Sequence, residues 1–163
     1  MFEPFPGNYV WNLGVNIAVA MGGSVGDMVA ASEPVLEAAK QGADAGTAAF
    51  FDSWIALADR VTAQAEADAA AGHDLSASAK HHRACVYYMT AERMQKHGYP
   101  PREAAYAKML HAMREAARLG RLNVEFVEIP YEGTSYPALF VRAEGRDGRA
   151  APCVVQTNWL DSV

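Results

Sequence analysis

The sequence predicts an α/β fold in which a helical region precedes the first strands of a sheet. Up to Gly120 the apolar residues recur with the helical period, and after Asn123 they alternate or form short runs typical of strands. The last stretch, Ala151–Val163, is a short apolar run that leads into polar turn residues. Such a strand normally has neighbours on both sides, so we interpret the chain as a fragment. We expect a helical region over residues 1–120 and the start of a sheet over residues 121–163.

The composition is that of an ordinary globular protein and favours neither nucleic acid nor membrane as a partner. The 163 residues are 51% hydrophobic and 20% charged, with a formal net charge of −5. Binding to nucleic acid needs clustered Lys and Arg, and no run of that kind occurs in the sequence. The apolar stretch Ile17–Met21 is soon interrupted by glycine and is too short to span a bilayer. We therefore expect a cytoplasmic protein.

The cysteines and histidines predict neither a metal site nor a cofactor. Cys85 and Cys153 lie in separate apolar runs and form no Cys-x-x-Cys pair, so we expect two buried free thiols. His81 and His82 are adjacent and point to different sides of a helix, whereas paired metal ligands lie three or four residues apart. The simplest interpretation of these two histidines is a solvated helix.

Four helices are predicted in the helical region, after an irregular arm that proline and glycine interrupt over residues 1–26. The predicted helices cover residues 27–41 with Pro34 inside, 47–72 with Thr47 as N-cap, 76 or 78 to 97, and 101–119. Their roughly regular spacing raises a tetratricopeptide-like array as an alternative, but no repeat signature recurs at that period. We therefore interpret the helices as a compact cap.

The second helix has the clearest buried face, and the third is apolar on most sides. Phe50, Trp54, Leu57 and Val61 follow one another at spacings of four, three and four residues. A helix that is apolar on most sides is typically packed between others. Tyrosines and a methionine of the third and fourth helices are interpreted as core, although one or two of them could line a pocket under a cap: Tyr87, Tyr88, Tyr106 and Met109. Charged residues are interpreted as solvated helix faces: Asp59, Glu66 and Asp68, and likewise Glu92, Arg93 and Lys96.

Three strands are predicted after the helices. A first strand over residues 124–129 ends at Pro130, the turn signal is Tyr131–Thr134, and a second strand covers residues 136–141. These two strands predict an antiparallel hairpin. A polar loop over residues 144–149 separates the hairpin from the third strand, which contains Val154 and Val155.

Short phrases along nearly the whole chain resemble one group of enzymes. The phrases are Trp11-Asn12-Leu13-Gly14, Pro130-Tyr131-Glu132-Gly133, Pro137-Ala138-Leu139-Phe140, and Val154-Val155 with Asn158-Trp159-Leu160-Asp161-Ser162. In this order, after a helical region, they resemble the α/β-hydrolase superfamily, in particular the esterase group that includes the fermentation–respiration switch protein and 2,6-dihydroxypseudooxynicotine hydrolase. The resemblance implies a helical N-terminal cap and the first three strands of a hydrolase sheet.

The resemblance also implies a role for the last loop. In this fold the loop after the third strand donates one backbone N–H to the oxyanion hole, and by position the Leu160 N–H is that donor. Asn158 and Trp159 belong to the same loop, and Trp159 stands where the group has glycine, so a side chain is expected at the mouth of the pocket.

The full-length enzyme implied by the resemblance would hydrolyse a small-molecule ester, or a ketone by carbon–carbon bond cleavage, with Ser, His and an acid. By the chain order of this fold, these three residues would follow Val163. We therefore expect no catalytic side chain and no hydrolysis from the present chain alone.

Gly22-Gly23-Ser24-Val25-Gly26 matches Gly-x-Ser-x-Gly by letters, but no strand is predicted before it. A nucleophile elbow needs a strand before the serine and a helix after it, so we do not assign Ser24 as a nucleophile.

A second hypothesis is a short helical interaction protein. Such a protein would pair with a partner or form a homo-oligomer through its exposed C-terminal strand.

Overall fold

The computed structural model describes residues 2–41, 48–96, 98–145 and 150–157. The chain divides into two compact units, residues 1–120 and 121–163, and each is described by itself. In the described residues the first unit is helical, and the second contains a two-stranded antiparallel sheet. The predicted order of a helical region followed by strands is confirmed in the described residues, with two of the three predicted strands present.

The described part of the helical unit contains six α-helices and one short 3₁₀ turn, Glu33–Val35. The helices are α1 Tyr9–Ala20, α2 Val25–Ser32, α3 Leu36–Lys40, α4 Ala48–Ala70, α5 Asp74–Glu92 and α6 Pro100–Leu119.

Helix α1 lies inside the stretch, residues 1–26, for which the sequence predicted an irregular arm. The Asn8 side chain caps the helix by accepting a hydrogen bond from the Trp11 N–H at 3.1 Å. Trp11, Val15 and Ala18 then form a fully buried stripe at helical spacing. Gly14, one of the glycines of the predicted arm, lies against Met94 and Phe50, where a Cβ would meet the Met94 methyl at 3.0 Å. Close packing thus explains a glycine inside this helix.

The helix predicted over residues 27–41 is divided into α2, the 3₁₀ turn and α3. Pro34 is the second residue of the 3₁₀ turn. Proline lacks an N–H and its ring clashes with the preceding helical turn, which breaks a continuous α-helix.

The three long helices pack in sequence, with α5 in contact with both α4 and α6. This confirms that α5 lies between other helices. Helix α5 begins at Asp74 and ends at Glu92, whereas the sequence predicted a helix from residue 76 or 78 to residue 97. Thr47 and His97, the expected cap of α4 and end of α5, lie outside the described residues.

Aromatic side chains connect the N-terminal segment to α4 and α5. Ring centroids are 4.9 Å apart for Phe5 and Trp11, 5.0 Å for Trp11 and Phe50, 5.7 Å for Phe50 and Trp54, and 5.9 Å for Trp54 and Tyr87. All five residues are at most 1% exposed. Large aromatic side chains bury the most apolar area per residue, so this series forms the centre of the core.

The second unit contains the predicted hairpin, with β1 Glu125–Tyr131 and β2 Thr134–Phe140 in antiparallel register. The two turn residues, Glu132 and Gly133, have φ values of 45° and 81°. Two consecutive positive φ angles define the type I′ turn, whose twist matches that of the flanking strands. The hairpin prediction is confirmed.

The third predicted strand is not formed in the described structure. Residues 150–157 do not form a strand, and Val154 and Val155 are 91% and 83% exposed. A strand is stabilised by backbone hydrogen bonds to a neighbour, and no described segment pairs with these residues.

The two cysteines are both free, as predicted, but they differ in exposure. Cys153 is exposed, which corrects the expectation that it is buried in a strand. Cys85 is partly buried, and this burial raises the pKa of its thiol to about 11.

Among the residues that the structure describes, no helix combines the length and the apolar character needed to cross a membrane.

Candidate functional site

The β-hairpin exposes apolar side chains on both faces. The strand register places Val127, Ile129, Tyr131, Tyr136, Ala138 and Phe140 on one face, and Phe126, Pro130, Pro137 and Leu139 on the other. Ile129 is 52% exposed on the first face, and Leu139 is 54% exposed on the second. Antiparallel sheets that face water usually have one polar face, whereas strands covered on both faces are apolar on both. Apart from Glu125 and Thr134 on the first face, and Glu128 and Ser135 on the second, this hairpin has the composition of strands that are covered on both faces.

Two prolines limit hydrogen bonding along the outer edges of the hairpin. Pro130 pairs with Ser135 and Pro137 pairs with Glu128. Counted from the two-residue turn, both are non-hydrogen-bonded pairs, so the missing N–H groups lie at the outer edges of the ladder. Each edge therefore lacks one donor for a further strand. Leu139, beyond Pro137, keeps its outward N–H.

The predicted oxyanion loop, Asn158, Trp159 and Leu160, lies outside the described residues. The segment that leads to it is described as far as Thr157. The Leu160 N–H therefore stays a prediction from the resemblance.

Ser24 lies in the turn between α1 and α2, and the element that precedes it is a helix. Its backbone N–H donates to Tyr87 Oη at 3.0 Å, and Tyr87 Oη donates to Asp27 Oδ2 at 2.8 Å. An Arg83 guanidinium nitrogen lies 3.7 Å from the same carboxylate oxygen. Burial raises the pKa of Tyr87 to about 12, so its hydroxyl keeps the proton that it donates. These bonds fix the turn against α5 and differ from the strand–turn–helix context of a nucleophile elbow.

His81 and His82 point to different environments, as predicted for adjacent residues. His81 is 3% exposed, whereas His82 is exposed. Burial lowers the pKa of His81, because it disfavours the imidazolium form. The interpretation of His81 as part of a solvated face is therefore wrong. Within the described residues, no three His, Cys, Asp or Glu side chains lie close enough together to hold a metal ion.

The tyrosines and the methionine interpreted as core fall into two groups. Tyr87 and Tyr88 are at most 2% exposed, and Met109 packs partly buried against the core. Tyr106 is 41% exposed and lies outside the core.

A groove of about 490 Å³ runs between α4 and α6, with α5 as its floor. Tyr88 Oη donates to Asp59 Oδ1 at 2.5 Å, and Lys108 Nζ donates to the same oxygen at 2.7 Å. Thr62 Oγ1 lies 3.2 Å from Tyr88 Oη. Burial and the neighbouring Asp59 carboxylate raise the pKa of Tyr88, so this phenol stays protonated as a donor. The groove is thus lined by the Asp59 carboxylate and the Tyr88 ring, which a hydrogen bond holds together.

The sequence did not reveal this groove as a site. Asp59 and Glu66 were interpreted as a solvated face and Tyr88 as core, and Lys108 was not singled out. The i, i+7 spacing of Asp59 and Glu66 places both on one face of α4. Their meeting with residues of α5 and α6 depends on tertiary packing, which the spacing does not encode.

No known protein family matches this chain, and neither does any curated protein or any solved structure.

Proposed function

We propose that this chain is the N-terminal part of a serine-type α/β-hydrolase, an esterase or a carbon–carbon bond hydrolase. In this proposal the helical unit is the cap, and the hairpin with residues 150–157 supplies the first three strands of the catalytic sheet. The protein acts in the cytoplasm, where free cysteines such as Cys85 and Cys153 are the rule.

The observation that carries the proposal is the hairpin with two exposed apolar faces. Tyr131 and Tyr136 in the strands are 55% and 56% exposed, and Val141 directly after β2 is 62% exposed, although aromatic and β-branched residues favour covered strands. A two-stranded hairpin alone is only marginally stable in water. Further strands and helices of an α/β sheet would cover these side chains and add the missing neighbours.

The exposed segment that follows the hairpin supports the same proposal. Val154 and Val155 are the most exposed large apolar side chains among the described residues. In the complete sheet they would form the third strand, flanked on both sides. Burial of a valine side chain contributes about 1.5 kcal/mol or more, so the complete sheet would stabilise this strand.

The chemistry assigned to this chain is half of an oxyanion hole. The Leu160 N–H would donate to the oxyanion of the tetrahedral intermediate, and the residue after the nucleophile would supply the second N–H. One such donor is worth about 3 kcal/mol of transition-state stabilisation. Trp159 would narrow the pocket beside it, on the side where the ester or ketone substrate enters. Ser, His and the acid would come from the sequence after Val163.

Reading the natural transcript across the codon for Val163 tests the proposal. The expected result is an open frame that encodes further strands and a Gly-x-Ser-x-Gly turn between a strand and a helix, then an acid and a His in that order. A stop codon directly after Val163 would overturn it.

A second candidate function is association through residues 150–157, favoured by the exposure of Val154 and Val155. Light scattering after size-exclusion chromatography measures the mass of the particle. This candidate predicts a dimer or larger assembly that a Val154→Lys, Val155→Lys double variant converts to a monomer. A monomeric wild-type chain would count against association with itself.

A further inference from the structure

The ammonium group of Lys108 lies in the groove between α4 and α6. The Lys108 ammonium donates to Asp59 Oδ1 at 2.7 Å and lies 5.6 Å from the centroid of the Tyr88 ring. An ammonium group between a carboxylate and the face of an aromatic ring is the arrangement in which proteins recognise organic cations. We propose that this groove binds a small organic cation of the ammonium class, whose charged group replaces the Lys108 ammonium.

The charge of the groove favours a cation over an anion. Two carboxylates, Asp59 and Glu66, line the groove together with one lysine and His111. When the Lys108 side chain turns out into water, the two carboxylates remain and the local potential becomes negative. A cationic ligand would restore the balance of charge that Lys108 provides in the unliganded protein.

Displacing the Lys108 ammonium from Asp59 costs little free energy, because this ion pair is exposed to solvent. The Lys108 and Asp59 side chains are 48% and 45% exposed. An exposed pair of this kind changes an equilibrium constant by a factor of about five or less. A ligand therefore needs only a modest gain from the ring and the carboxylate to displace the lysine.

The ring and the carboxylate, in contrast, are held in place. Tyr88 is 2% exposed, and its hydroxyl is bonded to Asp59 at 2.5 Å and lies 3.2 Å from the Thr62 hydroxyl. These bonds set the direction of the Asp59 carboxylate before any ligand arrives. Preformed geometry lowers the entropy lost on binding, which favours recognition of a small ligand.

The dimensions and walls of the groove suit a compact ligand with an apolar body. Its volume of about 490 Å³ is within the range of small-molecule sites. Ala63, Ala107 and Ala112 give the walls small apolar surfaces beside the charged groups. The inference concerns the helical unit alone and does not depend on the proposed hydrolase relationship.

Titration of the ¹⁵N-labelled full chain with choline, followed by amide chemical shifts, tests the inference. The matched control ligand is 3,3-dimethyl-1-butanol, which has the shape of choline without its charge. Saturable shifts at Asp59, Tyr88 and Lys108 are expected for choline and none for the alcohol. The inference is overturned by an equal response to the alcohol, or by shifts that do not saturate.

Three variants distinguish binding of choline in the groove from a general effect of the protein's charge on its affinity. Lys108→Met removes the competing ammonium and is expected to tighten choline binding about threefold. Asp59→Asn keeps an acceptor for Tyr88 but removes the charge, and is expected to weaken binding about tenfold. Asp52→Asn removes a carboxylate on the same helix outside the groove and should leave the affinity unchanged. Unchanged affinity in Asp59→Asn, or weaker binding in Lys108→Met, would contradict the proposed site.

Discussion

Adjacent histidines at the middle of α5 have opposite environments. His81 is 3% exposed and its Nδ1 has no hydrogen-bond partner in the described structure, whereas His82 is exposed. The charged groups that act on His81 are Glu66 of α4, and His111, Glu115 and Arg118 of α6. Desolvation is the largest influence and lowers the pKa of His81 below its usual 6.5.

Stability should fall as the pH is lowered from 7 to 5, in part because of His81. Its pKa is lower in the folded state than in the unfolded state, so the unfolded state binds the proton more tightly. The contribution of neutral His81 to the free energy of unfolding is present above the pKa of the unfolded state. It is lost as the pH falls through the pKa of the folded state. The loss is at most about 1.4 kcal/mol per pH unit.

The measurement is the free energy of unfolding in urea at several pH values for three proteins. His81→Gln should show a shallower decrease toward low pH than the wild type, while His82→Gln should follow the wild type. Equal slopes for wild type and His81→Gln would show that His81 does not contribute.

The burial of Glu92 in an ion pair was not predicted from the sequence. Glu92 was expected on a solvated face, yet it is 2% exposed and accepts from Arg102 Nε at 2.6 Å. The two residues join the end of α5 to the start of α6. Charged residues are seldom fully buried unless paired, and the partner here is ten residues away across a turn. The charged stripe of Glu92, Arg93 and Lys96 therefore suggested a solvated face, because the pairing with Arg102 depends on tertiary packing.

At the scale of the elements, the turn between α1 and α2 depends on a glycine. A Cβ on Gly23 would meet the Ala18 carbonyl oxygen at 2.8 Å and would also collide with the Met28 methyl. The Met28 side chain can move, but the carbonyl belongs to α1. The close approach of α1 and α2 therefore requires the absence of a side chain at position 23.

Gly23→Ala should destabilise the helical unit by about 2 kcal/mol, the usual cost of overpacking. The matched control is Gly26→Ala, because its Cβ would meet only Ser24 Oγ at 3.8 Å and it lies inside α2. Alanine is the better helix former, so this variant should gain about 0.5 kcal/mol. Urea unfolding measures both, and a Gly23→Ala variant as stable as Gly26→Ala would refute the steric account.

The elements with regular periods could be predicted, and those that depend on packing or pairing could not. The stripe from Phe50 to Val61 predicted α4, and the turn signal at Tyr131–Thr134 predicted the hairpin, because both are local patterns. Helix α1 was missed because the glycines and prolines of residues 1–26 suggested an irregular arm. The third strand was predicted from an apolar run, but strand formation also requires a partner.

At the scale of the whole molecule, the two units differ in how far their apolar side chains are buried. The helical unit has its own aromatic core, with Trp11 and Trp54 at most 1% exposed. The hairpin unit leaves Ile129 and Leu139 more than half exposed, on opposite faces. A hairpin needs further layers for stability, and an α/β-hydrolase sheet would provide them. The candidate oxyanion donor, Leu160, could be proposed only from the order of short phrases, since its role depends on groups from other strands.

The most direct measurement of the central claim is covalent labelling with a fluorophosphonate, which reacts with activated serines, followed by mass spectrometry of the labelled peptide. It is applied to the product of the whole reading frame and to the 163-residue chain, with Ser24→Ala as the control variant. We expect one labelled serine, in a Gly-x-Ser-x-Gly sequence after Val163, and no label on the 163-residue chain. A label on Ser24, or no labelled serine in the whole product, would contradict the central claim.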